Sequence, residues 1–116
     1  MAARQYKGRG RIAALGDEWL LVYTYPELLD NATFVTNLLK WLRVGASSKV
    51  LYTTGHRERF NDRNSRVLED VLKRSGLELQ AFPGTITKSA LSGTSVLIVG
   101  NAWGEFSRDE ISAVED

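Results

Sequence analysis

The chain has 116 residues, a single-domain length, and its 43% hydrophobic, 25% charged composition supplies enough apolar material for a packed core. Fifteen Lys and Arg against fourteen Asp and Glu leave a formal charge of +1, so no global field draws the chain to nucleic acid or to an anionic membrane. There is no cysteine, which excludes disulfide scaffolds, thiolate metal sites and cysteine nucleophiles, and the single histidine, His56, is too few for a multi-histidine metal centre.

In chain order, Arg11 to Gly16 is a short apolar run behind the glycine-punctuated Lys7-Gly8-Arg9-Gly10, and it reads as a strand closed by Gly16-Asp17. Trp19 to Tyr25 reads as a continuation or as an apolar loop, ended by Pro26. From Asn31 the spacing turns helical. Ala32, Phe34, Val35, Leu38, Leu39 and Leu42 form one stripe, with Asp30 or Asn31 as cap and Gly45 as stop. Lys49 to Thr54 is a β-branched and aromatic run ending at Gly55, the pattern of a buried strand entering a loop.

Asn61 to Ser75 carries Val67, Leu68, Val71 and Leu72 at helical spacing, with Asn64 or Ser65 as cap and Gly76 just beyond the end. Leu77 to Phe82 alternates apolar and polar residues and predicts a more peripheral strand before Pro83-Gly84. Thr87 to Leu91 reads as a turn or a single helical turn, and Ser95 to Gly100 as the cleanest buried strand in the chain. Ser107-Arg108-Asp109-Glu110 is a capping box, which opens a helix expected to turn Ile111 and Val114 inward.

This order predicts an α/β protein with a flavodoxin-like three-layer αβα arrangement and a mainly parallel sheet of about four to five strands. No apolar run approaches the ~18 residues of a membrane span, and the opening MAARQYK lacks the apolar segment of a signal peptide. The expectation is one domain over residues 1–116, cytoplasmic and without membrane contact.

Several stretches resemble a known family. Leu51-Tyr52-Thr53-Thr54-Gly55-His56-Arg57-Glu58-Arg59-Phe60, Thr87-Lys88-Ser89-Ala90-Leu91, the Val96 to Val99 strand and Glu105-Phe106-Ser107-Arg108-Asp109-Glu110 are similar to the opening half of a GIFT domain. This is the class I glutamine-amidotransferase-like module of gliding-motility transporter auxiliary proteins and of an intraflagellar transport complex subunit. Trehalose-utilisation-type and channel-associated-factor proteins share comparable segments. Gly8 through Asp17, Asp30-Asn31 and Asn37-Leu38-Leu39-Lys40-Trp41-Leu42 resemble the closing strand and helix of the same modules. The two pieces stand in reversed order, so the domain is circularly permuted, or a fragment spanning two modules, or completed by a second chain. The resemblance implies a scaffold without the amidotransferase reaction, since that reaction needs a cysteine on a strand-to-helix elbow. No Gly-x-Ser-x-Gly turn stands in for it.

The residues themselves offer one principal site. Gly55-His56-Arg57-Glu58-Arg59 follows a predicted central strand, where open α/β sheets bind ligands. There His56 would act as acid or base with Glu58 orienting it, and Arg57 and Arg59 would hold a carboxylate or phosphate. In the bland reading His56 caps a loop and the arginines are solvated or paired with Asp62 and Glu58. Asp17 and Glu18 follow one strand and Asn101-Ala102-Trp103-Gly104-Glu105 another, and all three loops are expected on one edge of the sheet. Trp103 or Trp19 would wall a crevice for a sugar or peptide, unless these are ordinary turn residues and an edge-covering tryptophan.

Gly8-x-Gly10 precedes a strand instead of following one, so no dinucleotide, and no other cofactor or metal, is expected. Arg4 and Lys7-Gly8-Arg9-Gly10-Arg11 form a basic cluster without interleaved aromatic residues, better read as a solvated lead-in than as a nucleic-acid segment. The leading expectation is a non-catalytic binding or assembly module that self-associates or binds another protein, with small-molecule binding left open. The alternative is a small hydrolase or carbohydrate-active enzyme using His56 with Glu58, Asp17 or Glu105.

Overall fold

A computed structural model of the chain describes residues 2–5, 10–43 and 45–115. The chain is a mixed α/β structure. A three-stranded parallel sheet, order β4-β3-β5, is formed by β3 (Lys49–Thr53), β4 (Glu78–Phe82) and β5 (Val96–Ile98). A separate antiparallel pair joins β1 (Ala2–Gln5) to β2 (Arg11–Ala14). The strand expected at Arg11 to Gly16 therefore exists, but among the described residues its partner is β1 and not the parallel sheet.

The central strand is β3, whose Val50, Leu51, Tyr52 and Thr53 are all buried, as a run apolar on both faces requires. Its connection to β4 is α2 (Arg66–Arg74), which sets Leu68, Val71 and Leu72 in the interior. Ser65 precedes that helix without capping it through its side chain, while the Tyr52 hydroxyl and Ser65 Oγ meet at 3.0 Å. Gly76, at φ +78, ends the helix in a Schellman turn. Its N–H donates to the Lys73 carbonyl at 3.1 Å and the Leu77 N–H to the Leu72 carbonyl at 2.9 Å. Leu72 and Leu77 are both fully buried in the core that this turn closes.

Helix α1 (Asn31–Leu42) begins where the spacing predicts, with Val35 and Leu39 buried and Phe34 on the exposed rim of the stripe. Before it, Trp19–Leu21 and Tyr25–Glu27 form two short 3₁₀ turns, neither strand nor plain loop, and Pro26 sits inside the second. The segment expected to be helical from Asn61 starts at Arg66, because Asn61 and Asn64 bond each other and the preceding carbonyls of Glu58 and Arg59. Helix α3 (Lys88–Leu91) is the single turn expected, capped by the Thr87 hydroxyl, which accepts from the Ala90 N–H at 3.1 Å.

Two burial expectations fail. Strand β5 covers only Val96–Ile98 and lies at the sheet's edge, and Val99 beyond it is exposed. Its apolar run reflects one paired side and one covered face, not envelopment. Helix α4 (Arg108–Glu115) carries the capping box but leaves Ile111 and Val114 about half exposed, because Glu110, not an apolar residue, is its buried anchor. Among the described residues no helix is long and apolar enough to cross a membrane.

Candidate functional site

The loops after β3 and β5 meet at the C-terminal end of the sheet, but they meet by pairing with each other. The Phe60 and Arg59 N–H groups donate to the carbonyls of Gly100 and Asn101 at 3.0 and 3.1 Å. The Trp103 and Gly104 N–H groups donate back to Arg57 and His56 at 3.3 and 2.6 Å, around an antiparallel bridge between Glu58 and Ala102. Glycines make this approach close enough. A Cβ on Gly100 would stand 2.3 Å from Phe60 Cβ, and one on Gly104 2.9 Å from the His56 carbonyl oxygen. Gly55 abuts Pro83 on the other side, where a Cβ would come within 2.4 Å of the Pro83 carbonyl. The crevice that open α/β sheets use for ligands is here filled by backbone.

His56 lies in this ladder, buried, with its ring stacked on Phe106 at 4.0 Å between centroids and 13° between planes. Nε2 is 2.8 and 3.0 Å from the two carboxylate oxygens of Glu110. Those oxygens also accept from the Ile86 N–H at 3.0 Å and the Ser107 N–H at 3.1 Å, while the Ser107 hydroxyl accepts from the Glu110 N–H at 3.1 Å. The Ile86 amide first, then His56 and the Ser107 amide, hold the Glu110 carboxyl down to about 2 against an ordinary 4.5, with burial opposing them. An ionised carboxylate only accepts, so Nε2 carries the proton. Nδ1 faces Glu58 Oε2 at 3.7 Å, too far for a hydrogen bond, and both atoms are buried without a partner. The other oxygen of Glu58 accepts the His56 backbone N–H at 2.6 Å. The imidazole therefore sits between two carboxylates under an aromatic lid.

The remaining candidates divide. Arg59 Nε lies 3.8 Å from Glu18 Oε1, and Asn101 Nδ2 donates to Glu18 Oε2 at 3.1 Å, so three residues expected on one edge do meet there. Arg59 thus pairs with Glu18 and not with Glu58 or Asp62. Arg57, at φ +55, donates from Nη2 to the Trp103 carbonyl at 3.2 Å. Trp103 is 64% exposed, and Glu105 is exposed beside it. Asp17, one of three carboxylates considered for His56, accepts the Trp19 N–H at 3.0 Å in an ordinary turn contact, while the carboxylates beside His56 are those of Glu58 and Glu110. Among the described residues no cluster of three His, Asp or Glu side chains presents a metal site. Of the basic cluster, Lys7, Gly8 and Arg9 lie outside the described residues, and Arg11 is turned inward over the Trp41 ring at 5.1 Å, donating to the Trp41 carbonyl.

A recess lies elsewhere. A cavity of about 450 Å³ is lined by residues 13–18, by Val35, Leu38, Leu39 and Leu42 of α1, and by every residue from 96 to 101. No β3 residue lines it, so it runs along the outer edge of β5. Glu110 and Phe106 as the partners of His56, and this recess, escape sequence reasoning. The capping box points to Glu110 as a helix cap, but nothing local ties it to a histidine 54 positions away. Compared with protein-family models, with curated proteins and with solved structures, the chain matches none.

Proposed function

We propose that this chain is a non-catalytic binding or assembly module, built on the flavodoxin-like, amidotransferase-like scaffold that its segments resemble, in a cytoplasmic setting. The observation that carries the reading is the state of the sheet's C-terminal mouth. Two loops zip across it, and the one imidazole is stacked on Phe106, with Nε2 bound to Glu110 and Nδ1 facing Glu58. A general base needs a ring nitrogen within reach of a substrate proton; here Nε2 is bound to Glu110, and Nδ1, though unbonded, is buried against Glu58. What replaces the crevice is the recess along β5, whose outer edge has no strand partner among the described residues. A module of this kind acts through contact with a protein, another copy of the chain or a different one.

The enzyme reading rests on the 2.8 Å contact between His56 and Glu110, which has the geometry of a base with its orienting carboxylate. One screen separates the two. Purified chain is incubated with glutamine, p-nitrophenyl acetate and p-nitrophenyl glycosides, alongside a His56→Gln variant whose folding is checked by circular dichroism. Release no faster than the buffer blank is expected. Turnover that vanishes with His56→Gln overturns the module reading.

A further inference from the structure

The recess along β5 combines features that a filled core would not leave together. One wall is β5, which among the described residues is hydrogen-bonded to β3 on one side only, an arrangement that leaves alternate backbone N–H and C=O groups unpaired on the other side. The opposite wall is the end of β2 and the turn after it, and the floor is the apolar face of α1, chiefly Leu38 and Leu42. Strand β5 supplies three extended residues, Val96–Ile98, a length of ~10 Å at the ~3.3 Å rise of a parallel strand, and residues 99–101 continue the wall as a loop. The charges lining the recess all have one sign, the carboxylates of Asp17 and Glu18 beside Asn101 at one end.

We infer that this recess binds an extended segment of a partner protein by strand addition to β5, and that the segment alternates apolar residues with small polar ones and carries Lys or Arg over Asp17 and Glu18. Each term follows from a wall: the open edge asks for backbone amides, the α1 floor for apolar side chains on one face, and the carboxylate end for a cation. Glu18 already meets Arg59 and Asn101, which hold it in place, while Asp17 spends one oxygen on its own turn and keeps its charge exposed. The inference rests on the module reading and names that module's ligand.

The probe is a fluorescein-labelled peptide, Lys-Val-Thr-Val-Thr-Val-Lys, compared with one bearing Glu at both ends and with a version N-methylated at alternate residues. Lysine at both ends leaves the strand direction free. Fluorescence anisotropy should show the Lys peptide binding about fivefold tighter than the Glu peptide, a few-fold effect being what partly exposed charge pairs supply. N-methylation should remove binding, since it deletes the amide donors. Asp17→Lys should bring the ratio of the two peptides to about one or reverse it. In amide NMR spectra the shifts should concentrate at residues 13–18 and 96–101. Absence of binding, equal binding of the N-methylated peptide, or shifts centred elsewhere overturns the inference. So does a stable dimer whose β5 amides are protected from exchange and which excludes the peptide, because the occupant is then a second copy. None of these outcomes touches the turnover screen, so failure of the groove and failure of the non-catalytic reading remain separate results.

Discussion

Replacing Gly100 with alanine tests whether the loops at the sheet's C-terminal end are locked together. The added Cβ would stand 2.3 Å from Phe60 Cβ and 3.0 Å from its Cγ and Cδ1, far inside ordinary carbon contact at ~3.5–4.0 Å. Phe60 cannot swing aside, because it is fully buried and the nearest atom is its own Cβ, fixed to the backbone. Relief requires the two segments to part, which stretches the 3.0 Å bond from the Phe60 N–H to the Gly100 carbonyl. Overpacking costs ~1–3 kcal/mol and a lost backbone bond ~0.5–1.5 kcal/mol, so Gly100→Ala should destabilise the fold by about 2–4 kcal/mol. At a urea m-value of ~2 kcal/mol/M, the unfolding midpoint falls by ~1–2 M. Gly16→Ala is the control, since nothing stands within 4 Å of its Cβ, and it should leave stability unchanged or raise it by up to ~1 kcal/mol. A Gly100→Ala midpoint within ~0.2 M of wild type would refute the account of a mouth closed by backbone packing.

The folded Glu110 carboxyl titrates near 2 against an ordinary 4.5, so its ionised form stabilises the protein above the higher value, and that contribution is lost as pH falls from there to about 2. Thermal midpoints across this window should drop more steeply in wild type than in Glu110→Gln, with Glu110→Gln less stable at neutral pH and the two converging at the acid end. Parallel pH profiles would show that Glu110 is not the anchor of α4. Leu29 is 98% exposed at φ +52, a left-handed conformation that costs a side-chain-bearing residue ~1–2 kcal/mol. Leu29→Gly should therefore raise stability by up to ~1 kcal/mol in urea unfolding. Leu72→Ala, in the closed core, should cost about 2–5 kcal/mol, whereas Ile111→Ser, half exposed on α4, should change stability by less than ~0.5 kcal/mol. A large loss in Ile111→Ser would restore the inward-facing helix expected from sequence.

The capping box at Ser107 and Glu110, the glycine stop at Gly76 and the strand at β3 were legible because each rests on neighbours within a few residues. The error at α4 has the same root. Helical spacing puts Ile111 and Val114 on one face, but which face meets the core is decided by Glu110 reaching His56 and Ile86. The late start of α2 was hidden because the asparagine bonds that hold residues 61–64 out of the helix depend on carbonyls presented by the loop before them.

At the candidate site, the position of the Gly55-His56-Arg57-Glu58-Arg59 run directly behind the buried strand β3 was legible, because it rests on the local pattern alone. Sequence alone also ruled on sulfur chemistry, because composition is independent of folding. Whether the loop would open as a crevice or close as a ladder, and whether His56 would face solvent or Phe106, depended on contacts with residues 100–110. Local preference sets which segments become strand or helix. The pairing of distant loops is set by the whole packed structure, where glycine-permitted close approach and buried carboxylate partners decide what a side chain is left free to do.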